Sequence, residues 1–221
     1  MTQRNPNANQ PGLPWVGIGA LGAALFTAGL VIAGGVDLPS LLHAWYLTRA
    51  AGLLAFVLLW ASLVAGLLQS TQFLKGTASP LANIDLHTYL SLAALYTTTF
   101  HVVILLFDRY VTFGLIDIMV PFASDYKPAL VGLGGLAFYI ALGVTISTYL
   151  RAKLSPKLWR TIHLTSLVAF AAALAHGWLL GTDSNVGSVA FLYRFAALSV
   201  AALGGYRLYL GVKKRYASAA G

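Results

Sequence analysis

The sequence contains no cysteine and no glutamate, and only 9% of its 221 residues are charged. Each shortage excludes something. Without cysteine there is no disulfide framework, no thiol nucleophile and no cysteine-ligated cluster. Any bound metal must therefore be held by His, Asp or an imported cofactor. A soluble domain carries roughly a quarter of its residues charged; at 9% charged and 58% apolar this chain is built for lipid. The net charge of +8 would suit nucleic acid, but the basic residues sit between long apolar runs. Membrane topology accounts for them, and no nucleic-acid partner is expected.

What is present is a series of apolar runs. Residues 1–14 are polar and rich in Pro, Asn and Gln, and read as a disordered cytoplasmic lead. Run 15–35 is uncharged and about 20 residues long, enough to span the hydrocarbon. A cleaved signal peptide competes for this run, but its core would be shorter, about 7–15 residues, so a retained helix is expected. Five more spans are expected over 49–69, 84–107, 128–150, 159–180 and 186–210. The expected fold is all-α: an integral membrane bundle of six transmembrane helices filling residues 15–210, with 211–221 as a short basic cytoplasmic tail. The segment 108–127 is too polar to span and too apolar to float free, and reads as an interfacial helix or lid. Small residues such as Gly132, Gly134 and Gly135 read as permitting close helix approach.

With six spans the termini share a side. That side collects Arg4, Lys75, Arg151, Lys153, Lys157, Arg160, Lys213, Lys214 and Arg215. The other holds Arg49, Arg109, Lys127 and Arg194 beside five of the six aspartates, so both termini are expected to be cytoplasmic. The location implied is the cell (plasma or inner) membrane, crossed several times. The third and fifth spans then run parallel, from inside to outside.

Those two spans carry the chemistry. The third has His87 and His101, 14 residues apart; the fifth has His163 and His176, 13 apart. A lone imidazole at a helix end is ordinarily a satisfied structural histidine. Four in two matched pairs, in a medium where polar groups are costly, point to a ligand or a cavity. At about 1.5 Å rise per residue the members of each pair lie roughly 20 Å apart. Two parallel helices can so present facing histidines at two depths, each able to give a porphyrin iron one axial ligand from each side. The phase is uneven. Fourteen residues return to within about 40° of the starting face, whereas 13 leave about 140°, so the fifth span needs a kink, a π-bulge, a strong tilt or haems on different flanks. Zinc or non-haem iron needs three or four close ligands, and beside the histidines only Asp85 offers a carboxylate.

The chain resembles the ferric reductase-like transmembrane domain superfamily. That group takes in the membrane parts of ferric reductases and NADPH oxidases and a small bacterial haem subunit serving periplasmic methionine-sulfoxide reductase. The resemblance lies in LHTYLSLAALYTTTFHVVIL and IHLTSLVAFAAALAHGWLLG, with support from RAAGLLAF, PFASDYKP and RAKLSPKLWRTIH, and covers about 45–180. It implies that His87 and His163 ligate an inner haem b and His101 and His176 an outer one, with occupancy by one haem or two left open. It implies a membrane cytochrome b moving electrons to an external acceptor, either ferric iron or a partner reductase. The donor would be a separate flavin reductase, flavodoxin-like protein or quinol. No GxGxxG fingerprint occurs in a soluble segment, so a fused NADPH/FAD domain is not expected, and oxidoreductase and electron-transfer subunit of one both stay open.

Arg49 and Arg160 are candidates for pairing with haem propionates, because guanidinium matches a carboxylate bidentately; plain topology is the other account of each. The basic stretch 151–160 could dock an acidic donor or merely anchor its loop. His43 reads as a surface residue, and Trp45, Tyr46, Trp159, Trp178 and Tyr193 as interfacial belt aromatics. Tyr96, Phe100 and Phe170 fall between the histidine levels and read as packing. A different class of function stays open: a haem-free transporter or proton channel using the histidines as a relay, with Tyr96 and Thr97–Thr99 as the chief polar groups between them. A bare membrane scaffold would leave the matched pairs as coincidence.

Overall fold

The computed structural model describes residues 44–71, 80–108 and 110–219. The expected lead 1–14, the expected first span 15–35 and His43 lie outside the described residues. Among those described the chain is helical, with no strand. Its elements are α1 (Ala44–Ser70), α2 (Pro80–Ile104) continued by a 3₁₀ turn (Leu105–Phe107), α3 (Leu115–Met119), and α4 (Pro128–Tyr149). A second 3₁₀ turn (Arg151–Lys153), α5 (Pro156–Leu164), α6 (Ser166–Leu180) and α7 (Gly187–Ala219) complete them. Five stretches are long and apolar enough to cross a membrane: Ala44–Ser70, Ile84–Phe107, Pro128–Tyr149, Pro156–Leu180 and Gly187–Tyr216. They coincide with five of the six expected spans, and the chain is a multi-pass membrane protein. The last helix continues to Ala219, past the expected boundary at 210.

Helix starts follow local chemistry. Pro128 and Pro156 stand at first-turn positions, where a missing N–H costs nothing. The Ser155 hydroxyl caps α5 by accepting from the Leu158 N–H at 3.2 Å. Inside the spans, hydroxyls turn back onto their own helix: Thr97, Thr98 and Thr99 donate to the Ala93, Ala94 and Leu95 carbonyls at 2.7–2.9 Å. A polar group satisfied this way can sit in hydrocarbon.

Packing pairs α1 with α2 and α4 with α6, and α7 lies against α1. The core between α1, α6 and α7 is aromatic: Phe56 stacks on Phe170 at 5.8 Å and meets Tyr193 edge-on at 4.9 Å, with Trp178 stacked on Tyr193 at 6.1 Å. Tyr193 is therefore a core residue, 5% exposed, rather than a belt aromatic. Trp60 adds a polar tie by donating to the Ser199 hydroxyl at 2.9 Å. Large apolar side chains elsewhere, such as Phe191, Leu198 and Leu208, face outward. Lipid is the medium that suits such a surface.

The 108–127 segment folds back onto α4. Phe122, at φ 69°, lies against Gly132, where a Cβ would run into its ring. The Tyr139 hydroxyl donates to the Met119 carbonyl at 2.5 Å. Its short α3 exposes Leu115, Ile116 and Met119.

Candidate functional site

The four span histidines meet as two pairs. The ring centres of His87 and His163 stand 6.0 Å apart with planes at 66°. Those of His101 and His176 stand 6.4 Å apart at 82°. The earlier histidine of α2 faces the earlier one of α5–α6 and the later faces the later, so these helices run in the same direction. They face each other across the seam between the α1–α2 and α4–α6 pairings.

Three of the rings are held by one repeated device. His101 Nδ1 donates to the Thr48 carbonyl, His87 Nδ1 to the Ser62 carbonyl and His176 Nδ1 to the Leu130 carbonyl, each at 2.8 Å. Four residues after each of those carbonyls stands a glycine: Gly52, Gly66 and Gly134. On a helix, residue i+4 lies over the carbonyl of residue i. A Cβ there would sit 2.9 Å from His101 Cε1, 3.2 Å from His87 Cε1 and 2.7 Å from His176 Cε1. Glycine at i+4 thus opens the flank of the helix so that a ring can reach a carbonyl already used in the helix ladder. His87 has a further layer. Ser91 gives its proton to the His87 carbonyl at 2.7 Å, so at their 2.6 Å contact Ser62 donates to Ser91. The Ser62 oxygen, 3.2 Å from His87 Nδ1, is then free to accept from the ring.

A carbonyl can only accept, so in the neutral ring Nδ1 carries the hydrogen and Nε2 keeps its lone pair. That is the tautomer for metal ligation through Nε2, and a donating Nδ1–H raises the basicity of the ligand. Metal–imidazole bonds are about 2 Å long, so two imidazoles on opposite sides of one metal have ring centres roughly 6 Å apart. Both pairs fit that span. Among the described residues no three of His, Cys, Asp and Glu converge. Each site therefore offers two facing imidazoles, a donor set that would suit a metal whose other positions belong to a macrocycle, as in haem.

His163 departs from the device. Its Nδ1 is buried without a hydrogen-bond partner among the described residues, as is Trp159 Nε1. The His163 ring lies instead against Trp159, centres 5.0 Å apart at 27°, with the Arg151 guanidinium 4.3 Å from the centre of the Trp159 ring. The phase of the 13-residue spacing is met by a break between the two histidines. Helical structure lapses at Thr165, between α5 and α6. There the Thr165 N–H reaches back to the Ile162 carbonyl at 3.0 Å. Such an i−3 bond winds tighter than an α-helix, the direction that brings 13 residues nearer to four whole turns.

The remaining candidates sit apart from the rings. Arg49 is ion-paired with Asp183, its Nε donating to Oδ2 at 2.8 Å and its second nitrogen bonding Oδ1, while its guanidinium lies 4.1 Å from the Trp45 ring centre. Arg160 is exposed three residues before His163, and Asp85 is exposed two residues before His87. Phe170 is packed in the aromatic core. Sequence reasoning did not single out Gly52, Gly66, Trp159 as a ring partner, or Asp183. One signal for the glycines was present: Gly52 and Gly66 are separated by 14 residues, the same interval as His87 and His101.

The family model described as "Ferric reductase like transmembrane component" matches residues 51–174, more than half of the chain. That stretch contains His87, His101 and His163 and the three glycines that abut the rings; His176 follows two residues beyond it. Neither a curated protein nor a solved structure matches the chain.

Proposed function

The chain belongs to the ferric reductase-like transmembrane family, and on that premise we propose that it is a membrane cytochrome b. His87 with His163, and His101 with His176, each hold a haem b, and electrons pass across the bilayer to an external acceptor, ferric iron or a partner reductase. The observation that carries this reading is the pairing itself: two facing imidazole pairs at 6.0 and 6.4 Å, on parallel helices and at two levels.

Bound haem supplies one-electron iron chemistry at a potential set largely by its axial ligands. The protein's part is to hold those ligands. The Thr48, Ser62 and Leu130 carbonyls fix the tautomer of three histidines and leave Nε2 with its lone pair. Apolar walls exclude water from the seam. Arg160 is available to a propionate at the His163 level; Arg49 reaches one at the other level only by exchanging Asp183. The electron donor is a separate flavin reductase, flavodoxin-like protein or quinol on the Lys/Arg-rich side, with both termini on that side.

Of the polar groups that the relay alternative would use, Tyr96 and Thr97–Thr99, the three threonine hydroxyls are turned back onto their own helix, which favours the cytochrome reading. The test is an absorption spectrum of purified protein, oxidised and dithionite-reduced, with pyridine haemochrome quantitation. The expected result is a Soret band and about two haems per chain. Protein without a Soret band contradicts the proposal, and one haem per chain removes one of the two levels.

A further inference from the structure

The two histidine levels are built unequally, and the inequality resides in one side chain. His101 and His176 both anchor Nδ1 on a carbonyl of a neighbouring helix, as does His87. Among the described residues His163 has no such anchor, and its ring is stacked on Trp159. The spacing of Trp159 and His163 is i to i+4, which puts both on one helix face. The Arg151 guanidinium, from the 3₁₀ turn that precedes α5, also lies over the Trp159 ring, 4.3 Å from its centre. The indole thus links the exposed basic turn to the His87–His163 site.

Stacking restrains a ring differently from a hydrogen bond. It fixes the ring plane but leaves the ring able to slide and turn within that plane. It does not choose which nitrogen carries the hydrogen, and it does not push electron density onto Nε2 as a donating Nδ1–H does. With no carbonyl to aim it, His163 depends on the indole for its orientation.

We propose that Trp159, in contact with both Arg151 and His163, is the positioning residue of the His87–His163 site, and that His163 is the weakest-held and least basic of the four ligands. This rests on the cytochrome reading above. A less basic axial imidazole stabilises the ferric state less, so the His87–His163 haem has the higher midpoint potential of the two. The cationic Arg151, Lys153, Lys157 and Arg160 around this level act in the same direction.

The experiment compares wild type with Trp159→Leu and Trp159→Phe in the full-length, haem-loaded protein. Readouts are haem content, electron paramagnetic resonance of the ferric forms, and a redox titration. Wild type is expected to titrate in two steps. Trp159→Leu is expected to lose or alter the higher-potential step and its resonance signal, roughly halving intact low-spin haem, while the lower-potential step is unchanged. That unchanged step shows that the variant has folded. Trp159→Phe, which keeps a stacking ring, is expected to restore the wild-type pattern. A haem-replete wild type whose signals are all unmoved by Trp159→Leu overturns the positioning role, and a change confined to the lower-potential step overturns the order of potentials. Wild type without a Soret band overturns the cytochrome reading and this proposal together.

Discussion

The His101–His176 pair and the His87–His163 pair share a near-equal ring separation and the same two parallel helices, yet they are supported differently. At the first, each ring donates to a helix carbonyl exposed by a glycine: Thr48 with Gly52, Leu130 with Gly134. At the second, one ring does so and the other is stacked. Beside His101, His176 and His87 a glycine stands four residues past the accepting carbonyl, whereas none of the described glycines has the His163 ring among its nearest neighbours. In the proposed cytochrome, ligand identity is thus set by four histidines, whereas ligand quality is set by the small residues opposite them.

The largest effects come from the ligands. His101→Ala and His163→Ala are each expected to remove roughly half of the bound haem, and the component lost should differ between them in the reduced spectrum. Identical losses break the two-level arrangement. Next come the glycines, whose alanine variants form a graded set. Gly134→Ala (2.7 Å) should disturb more than Gly52→Ala (2.9 Å), and Gly66→Ala (3.2 Å) least, since the ring there needs to give by only a few tenths of an ångström. Overpacking of this kind costs about 1–3 kcal/mol. At Gly143 an added methyl would have nothing within 4 Å, so Gly143→Ala should leave haem content unchanged. Thermal melting in detergent with the haem-to-protein ratio measures the series. An effect at Gly143 equal to that at Gly134 would assign the losses to helix backbone rather than to the rings.

Much of this was legible in the sequence because lipid simplifies the reading. A scarcity of charge and five described apolar runs fix the helices, and an imidazole within such a run is conspicuous. The pairing of His87 with His163 and of His101 with His176 followed from spacing and direction. The supports were not legible for a physical reason. Glycine in a membrane helix most often serves helix–helix approach, and Gly132 and Gly134 differ only in whose ring they admit, Phe122 or His176. Which ring arrives depends on helix rotation, and that is decided by packing across the bundle. Trp159 escaped notice for the same reason: near a bilayer interface an indole usually belongs to the belt, and its contact with His163 depends on where α5 starts. The 13-residue phase, by contrast, called for either an irregularity or ligands on different flanks, and the break at Thr165 is an irregularity.

The smallest effect distinguishes a tie from a ligand-binding group. Arg49 and Asp183 join the start of α1 to the turn after α6, one residue beyond Thr48 and seven beyond His176. Their side chains are 27% and 35% exposed, and a pair that wet contributes about 0.2–1 kcal/mol. The stack of Arg49 on Trp45 adds about 0.5–1 kcal/mol. Asp183→Asn removes only the ion pair, whereas Arg49→Ala removes pair and stack together. The expected order is therefore a small drop in melting temperature for Asp183→Asn and a larger one for Arg49→Ala, with added salt narrowing the gap between wild type and Asp183→Asn. Haem content should hold in both, because His101 and His176 take their aim from carbonyls and not from this pair. Arg49→Lys separates the two contributions further, since it keeps the charge but loses the planar fork that meets Asp183 bidentately. If Asp183→Asn instead abolishes the His101–His176 component while the protein melts normally, the ion pair is part of that site, and the carbonyl anchors do not suffice to hold it.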